Sequence, residues 1–444
     1  MQHENLPQEL VDGCERRGAD AAEVLLETSR RLSIEVRNGE VETVQESSSH
    51  GVGFRVFKDG KMGFAHSNDL SDDSLNDAIA SAVTYSRYMT ADEHNVLPGD
   101  PGTTDVEGLY DPQIASMSMD SKIAMIIETE DLAMRDRRIT KSDGARYNEG
   151  DGTVSLANSN GIVKNYRSSY CGFGVTVVAE RGEEKSSGGE GCTRRFFSDL
   201  LPPEEVAGEA ARSAYEMLGP RMVSTQRAPV IFHRDVAYAL LGGILGAING
   251  ERVLQGASFL ADKVGERIGS DAITIVDDGT RAKGLGSSPF DGEGVPTQRR
   301  TIVDQGVLQG FMYNTMVASR AGVESTGNAS RGGFSSLPGI GPHNFYMEAG
   351  DADPQSIVRA TRNGLYLKGV TGYGINPVSG NFSGGAQGFW IRNGRIAFPV
   401  RGLTIASTAD EMLNGMDMLG NDLDMNRSMA APTLRIAEMQ IGGS

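Results

Sequence analysis

The sequence predicts an α+β protein: an N-terminal α/β domain with a mixed sheet, followed by a C-terminal, mainly antiparallel β domain. Three features lead there. Asn38-Gly39 and Asp59-Gly60, each set between stretches rich in β-branched and aromatic residues, are hairpin signals. From Ser71 the apolar period becomes helical, with Leu75, Ala78, Ile79, Ala82 and Val83 on one face. After residue 250 the patterned segments are mostly short strands, with further turn pairs at Gln305-Gly306 and Asn393-Gly394.

Taken in order, residues 21–27 and 32–37 carry strand character, as do 52–57 and 62–65 on either side of the second turn. The helix after Ser71 starts with Asp72 and Asp73, whose charge suits a helix N-terminus. A Pro/Gly/Asp-rich stretch, residues 97–112, is a linker or long surface loop. A helix over 120–136 then directs Ile123, Ile126, Ile127 and Met134 inward. Strands are predicted at 153–156 and 172–179, followed by the soft run Ser186-Ser187-Gly188-Gly189. A helix opening at Pro202-Pro203 closes at Gly219-Pro220. The domain boundary falls near residues 219–226, giving domains of 1–222 and 223–444. Beyond it come a strand at 230–232, a helix at 235–248, and strands at 274–276, 298–303, 388–391, 396–400 and 434–441.

Composition narrows the class. The 444 residues suffice for a large core. Glycine, at 57 residues, is about twice its usual share, which implies many tight turns. A net charge of -17 with no basic stripe argues against nucleic acid as a partner. The N-terminus lacks the layout of a signal peptide and no apolar run is long enough for a membrane span, so the expected compartment is cytoplasmic. Cys14, Cys171 and Cys192 form no disulfide framework or zinc pair and read as buried thiols.

The search for chemistry is mostly negative. Histidines occur at positions 3, 50, 66, 94, 233 and 343, and none are spaced as a helical metal-binding pair. No nucleophile elbow or phosphate-binding loop is present. Asp277-Asp278-Gly279 at a strand end reads first as a turn. The unusual segment is 240–250, where Gly242, Gly243 and Gly246 interrupt an apolar helix. Glycine costs about 1 kcal/mol relative to alanine inside a helix, so close approach of another backbone is expected there.

Residues 232–280, with FLADKVGERI at 259–268 and TIVDDGT at 274–280, resemble the core of the TldD/PmbA metalloprotease family, also called the modulator of DNA gyrase family. The C-terminal half is similar to its PmbA/TldE-like branch: GINPVSGNFS at 374–383, GAQGFWIRNG at 385–394, FPV at 398–400, LTIA at 403–406, GND at 420–422 and PTL at 432–434. At the N-terminus NGEVE at 38–42 and GVGFRV at 51–56 agree as well. In the TldD branch this helix carries HExxxH, two metal ligands and a general base, and a cysteine ligand comes from near the C-terminus. The corresponding positions here are Leu241, Gly242 and Gly246, and residues 417–426 contain no cysteine. The resemblance therefore implies a chain with no catalytic residue and no metal of its own.

It further implies a non-catalytic, substrate-handling subunit of a heterodimeric metalloprotease acting on unfolded or short peptides, with zinc in a TldD-like partner. Two other readings stand beside it. One is a homodimeric peptide-binding protein without a peptidase partner. The other is an active metallopeptidase with a relocated metal site near His233 or His343. Peptides are commonly held by strand addition, and glycines let a second backbone approach. Thr371, Gly372, Asn376, Ser383, Gly384 and His343 are accordingly the substrate-binding candidates.

Overall fold

A computed structural model describes residues 5–372 and 374–443. Helix α1 (Leu6–Arg16) leads into three strands, β1 (Ala21–Arg37), β2 (Glu40–Lys58) and β3 (Lys61–Ser67), and then α2 (Asp72–Ser86). After a long loop come α3 (Pro112–Ser116) and α4 (Met119–Met134). Strands β4 (Ile139–Asn158), β5 (Val163–Arg181) and β6 (Glu184–Arg194) and helix α5 (Pro203–Glu216) complete the first half. Its six strands form one sheet in the order β3-β2-β1-β4-β5-β6. Every pairing is antiparallel, so the sheet is not the mixed one expected. The turn pairs explain this, because two-residue hairpins can only join antiparallel neighbours. Both residues of Asn38-Gly39, Asp59-Gly60 and Asn393-Gly394 have positive φ, the conformation such turns require.

The strands are longer than the sequence predicted. The segments 21–27 and 32–37 are one continuous β1, and the soft run at 186–189 lies within β6. Alternation along β1 explains its continuity. Ala22, Val24 and Leu26 pack with α1 and α2, whereas Leu32, Ile34 and Val36 pack with α4 and α5. All six share one face of a strand with a period of two. Between the two apolar patches the same face is polar. Glu149 there accepts from Lys122 of α4 (2.6 Å), Tyr147 (2.8 Å) and Arg30 (3.3 Å).

The second half opens with β7 (Gln226–Phe232), α6 (Arg234–Ala247) and α7 (Gly250–Leu254). Short strands β8 (Ile275–Asp278), β9 (Arg299–Asp304) and β10 (Val307–Leu308) precede α8 (Thr315–Ala321), β11 (Ala329–Ser330), β12 (Gly339–Ile340) and β13 (Phe345–Met347). They are followed by α9 (Pro354–Ala360), β14 (Asn363–Thr371), β15 (Asn381–Arg392), β16 (Arg395–Thr408), α10 (Ala409–Asn414), β17 (Met416–Leu419), β18 (Met429–Ala430) and β19 (Leu434–Gly442). Strands β16, β15, β14, β7 and β19 pair in sequence, and β16 also pairs with β19, which closes a five-stranded ring. A second sheet, β10-β9-β8-β13-β18, lies beyond α6. Most pairings are antiparallel; β14–β7 and β13–β18 are parallel. The protein is thus α+β. No described helix is long and apolar enough to cross a membrane.

Helix α6 packs on β14 on one side and on β13 and β18 on the other. Its glycines are explained by the loop that follows β14. A Cβ at Gly243 would lie 2.5 Å from the Ile375 carbonyl oxygen, and one at Gly246 would lie 3.0 Å from Pro377 Cβ. Gly242 faces open space. The close approach of another backbone expected from the sequence therefore holds at Gly243, whereas Gly246 meets the ring of Pro377.

The odd-numbered face of β1 meets the second half of the chain. Arg55 of β2 is buried between Glu23 (2.9 Å) and Glu293 (2.8 Å), and Arg331 makes a close ion pair with the other oxygen of Glu23. Beside them Phe334 lies on the sheet where β2 carries Gly51 and Gly53; a Cβ at Gly53 would sit 2.0 Å from the Phe334 carbonyl oxygen. Phe290 meets Tyr166 edge-on at 5.1 Å and joins Leu25, Leu156 and Ile162. Arg195, after β6, donates to the carbonyls of Gly284, Leu285 and Ser287.

Removing one member of a buried ion pair leaves an uncompensated charge, which costs about 3–5 kcal/mol. Arg55→Ala is expected to lose stability on that scale in urea unfolding, and a loss within experimental error would refute the assignment. Asp291 adds a pH dependence. Burial and the charge of Glu293 push its carboxyl up to about 7, against N–H donors from Glu293, Val295 and Ala329. An acid that holds its proton more tightly when folded contributes stability fully below its ordinary value of 3.8 and loses it as pH climbs through 7. The fall in unfolding midpoint between pH 5 and pH 8 should be shallower in Asp291→Asn, whatever its absolute stability. Identical slopes would sink the idea. For α6, Gly243→Ala should cost about 1–3 kcal/mol through overpacking, whereas Gly242→Ala should gain up to about 1 kcal/mol of helix propensity. Equal effects at the two positions would show that the loop does not constrain the helix.

Candidate functional site

The helix positions that the resemblance singles out do not form a metal site. Leu241 is fully buried in the apolar core, Gly242 opens away from it, and Gly246 lies against Pro377. None offers a nitrogen, oxygen or sulfur side-chain donor, so the residues present do not fit zinc. Among the described residues no three His, Cys, Asp or Glu side chains gather into a potential metal-ligand group. His3 lies outside the described residues. Cys14, Cys171 and Cys192 are buried free thiols.

The substrate-binding candidates fall in two places. Thr371 ends β14 and Gly372 follows it, and Ser383 and Gly384 lie beside them in β15, where Thr371 pairs with Gly385. A Cβ at Gly372 would lie 3.2 Å from Gly384 Cα, so these glycines bring their own two strands together. Asn376 accepts from the N–H groups of Val378 (2.9 Å) and Ser379 (3.1 Å), which fixes the loop over α6. Thr371, Gly372, Asn376 and Ser383 are exposed and Gly384 is buried. Tyr373, between them in sequence, lies outside the described residues. His343 is in a different region. Its N–H donates to Asp277 Oδ1 (2.8 Å), its Nδ1 lies 3.3 Å from Asp277 Oδ2, and Asn328 also donates to Asp277 (2.7 Å). It lines a cavity of about 170 Å³ with Glu27, Tyr166, Asp291 and Arg331. Asp277 is thus a buried hydrogen-bond acceptor, and only Asp278 makes the turn contact, to Thr280 (2.9 Å).

The main concave feature lies between the two halves. Two cavities of about 760 and 740 Å³ share Glu190, Glu209, Asp235, Lys368 and Asn426. The first runs along the open face of the sheet past Gly172, Gly174, Gly189 and Gly191. The second lies between α5 and the outside of the ring, against Tyr366, Phe389, Ile396 and Phe398. Between them, three elements contribute a polar cluster. His233, the N-cap residue of α6, places Nδ1 2.9 Å from Asp235 Oδ2. Lys368 Nζ, from β14, lies 3.4 Å from both ring nitrogens and 3.7 Å from Asp235. Tyr366 meets the imidazole edge-on at 5.8 Å.

Burial would raise the Asp235 carboxyl, but His233, Lys368 and Arg234 outweigh it and hold the group well below its usual range. Burial lowers Lys368, and Asp235 only partly offsets that. Burial raises Glu190, whose carboxylate accepts from the N–H of Gly191 (2.9 Å). A concave site with convergent polar groups and shifted titrations is where ligand binding is to be sought. Only His233 and its neighbour Asp235 could have been singled out in the sequence. Glu190 and Lys368 lie 43 or more residues upstream and 133 or more downstream of that pair, and no spacing rule joins them.

Comparison with known proteins agrees with this architecture. Residues 22–86, 112–218 and 225–443 match, in turn, domain 1, the central domain and the C-terminal domain of the PmbA/TldA metallopeptidases. The first two matched segments share one sheet, through β1 and β4. The chain is 32% identical to metalloprotease PmbA of Escherichia coli O157:H7 over 96% of its own length and 93% of that protein. It is 26% identical to a TldD homolog of Buchnera aphidicola, covering 90% and 89% of the two chains. A putative modulator of DNA gyrase from Bacteroides thetaiotaomicron superposes with a TM-score of 0.91 at 28% identity, over 100% and 99% of the chains. TldE from Thermococcus kodakarensis shares the fold, with a TM-score of 0.90 at 24% identity over 98% and 99%. With these matches spanning its whole length, the chain belongs to the PmbA/TldD metallopeptidase family.

Proposed function

We propose that this chain is the non-catalytic, substrate-handling subunit of a cytoplasmic heterodimeric metalloprotease, pairing with a TldD-like chain that supplies the zinc and the HExxxH helix. The observation that carries the reading is the state of α6. Its core-facing position is Leu241, and Gly246 is closed off by Pro377, so an imidazole at either would disrupt packing. The scaffold of a metallopeptidase is kept while the positions for its chemistry are filled for structure.

The substrate class is unfolded or short peptides. Strand β6 is the outermost strand of its sheet, and the N–H of Gly191 in the cleft is taken up by the carboxylate of Glu190. An extended peptide could add along this edge, its carbonyl replacing that carboxylate. Thr371, Gly372, Asn376 and Ser383 offer a second exposed stretch for peptide contact at the end of the ring, with Gly384 buried beneath it, and His343 is the remaining candidate.

The test is hydrolysis of an unstructured peptide by this chain alone, by an HExxxH-bearing family member alone, and by the two mixed. Cleavage is expected only in the mixture, accompanied by a complex on size-exclusion chromatography. Equal rates with and without this chain would overturn the reading. A stable homodimer that binds peptide and ignores the second chain would replace it with a peptide-binding protein.

A further inference from the structure

The second cavity, between α5 and the outer surface of the ring, has features that strand addition does not use. Its floor carries both signs of charge at close range. Asp235, His233 and Lys368 stand within 3.7 Å of one another, Arg234 approaches Asp235 at 3.8 Å, and Glu190 lines the same cavity. The charges are incompletely matched. Lys368 reaches Asp235 only at 3.7 Å, and among the described residues Glu190 has no Lys, Arg or His within ion-pair distance. Half-buried charges left in this state gain from a ligand that brings their complements. The wall is apolar: Tyr366, Phe389, Ile396 and Phe398, with Ile396 47% exposed although it faces the cavity.

A ligand that satisfies all of this carries an ammonium, a carboxylate and an apolar group within a few bonds of one another. We propose that this cavity binds a zwitterion with an apolar side chain, a free amino acid or an unblocked di- or tripeptide. The ammonium lies between Glu190 and Asp235, the carboxylate faces Lys368, and the side chain lies on Phe389 and Ile396. A volume of about 740 Å³ is in the range of small-ligand pockets and leaves room for two or three residues. The lining as a whole has seven Asp and Glu against three Lys and Arg, which disfavours nucleotides and other polyanions. Its role in handling peptides rests on the function proposed above, but binding is a property of this chain alone and needs no partner.

The experiment is isothermal titration calorimetry of the full chain, without a partner, against four forms of Leu-Phe: unblocked, N-acetylated, C-amidated and blocked at both ends. The unblocked form is expected to bind, and each block to weaken it roughly tenfold or more, the loss of one charge-assisted hydrogen bond. Lys368→Met should erase the difference between free acid and amide, and Glu190→Gln should reduce the difference between free and acetylated amine. If either variant fails to fold, the four-ligand comparison on the unaltered chain still decides. Equal affinity for unblocked and doubly blocked peptide, or no binding of the unblocked form at millimolar concentration, would overturn the proposal. Because no hydrolysis is measured, failure here is distinguishable from failure of the partner-dependent cleavage.

Discussion

The buried network of Glu23, Arg55, Glu293 and Arg331 determines the geometry of everything around it. Two carboxylates and two guanidiniums balance in charge, but each pair joins groups far apart in sequence, and removing any one strands the others in a dry interior. A network of this kind adds little net stability compared with apolar packing; what it fixes is register. Glu23 and Arg55 are directly paired across β1 and β2, so the network ties one rigid part of the sheet to the loops that carry Glu293 and Arg331. Phe334, seated where β2 has glycine instead of side chains, sets the separation. β1 and β2 run on as continuous strands past this anchor, and Glu35, Val36 and Glu42 at their far ends line the cleft.

The cleft also depends on α6. The helix is buried on opposite sides by the ring and the second sheet, and Gly243 lets the loop at 375–377 press against its backbone. That contact holds the helix along its length and leaves its first residues, His233 to Asp235, at the cleft. The two ends of one helix therefore serve different purposes. Its C-terminal half, with Leu241 and Gly246, is given over to packing. Its start takes part in a polar cluster.

Much of this fold was legible in the sequence. Turn pairs such as Asn38-Gly39 and Asn393-Gly394 fix two φ angles each, so the hairpins follow from local sterics alone. Helical periods at α2 and α4 were equally local. Strand length was not, because β1 crosses from one helix pair to another through a polar stretch that breaks the apolar pattern at Thr28 and Arg30. The antiparallel character of the first sheet was implied by its turns, but the pairing of β4 with β1, reached from the opposite edge strand β3, has no local signal. The site was the least visible part. Asn376 and the glycines at 372 and 384 stand out in the sequence because both peptide binding and tight self-packing select such residues, and a sequence does not separate the two causes. The pairing of Glu190 and Lys368 with His233 and Asp235 arises from tertiary structure, to which periodicity and spacing have no access.

The charge pattern of the cleft bears on what the scaffold is built to do besides hold itself together. A core maintained for stability alone would have no need of half-buried charges, because apolar substitutes of similar size are usually neutral or stabilising. Lys368, held below its ordinary value by burial, and Glu190, raised above its own, are each costly to the folded chain and each point into the same open volume. Strain of this kind persists where binding relieves it. The neighbouring edge of β6 fits the same logic: the N–H of Gly191 is satisfied by a side chain of its own strand, a bond that an incoming carbonyl can replace without cost in hydrogen-bond number. Both features concern the ends and backbone of a peptide and neither requires a particular side-chain sequence. On the function proposed above, such a surface would select for extended, accessible chains and against folded ones.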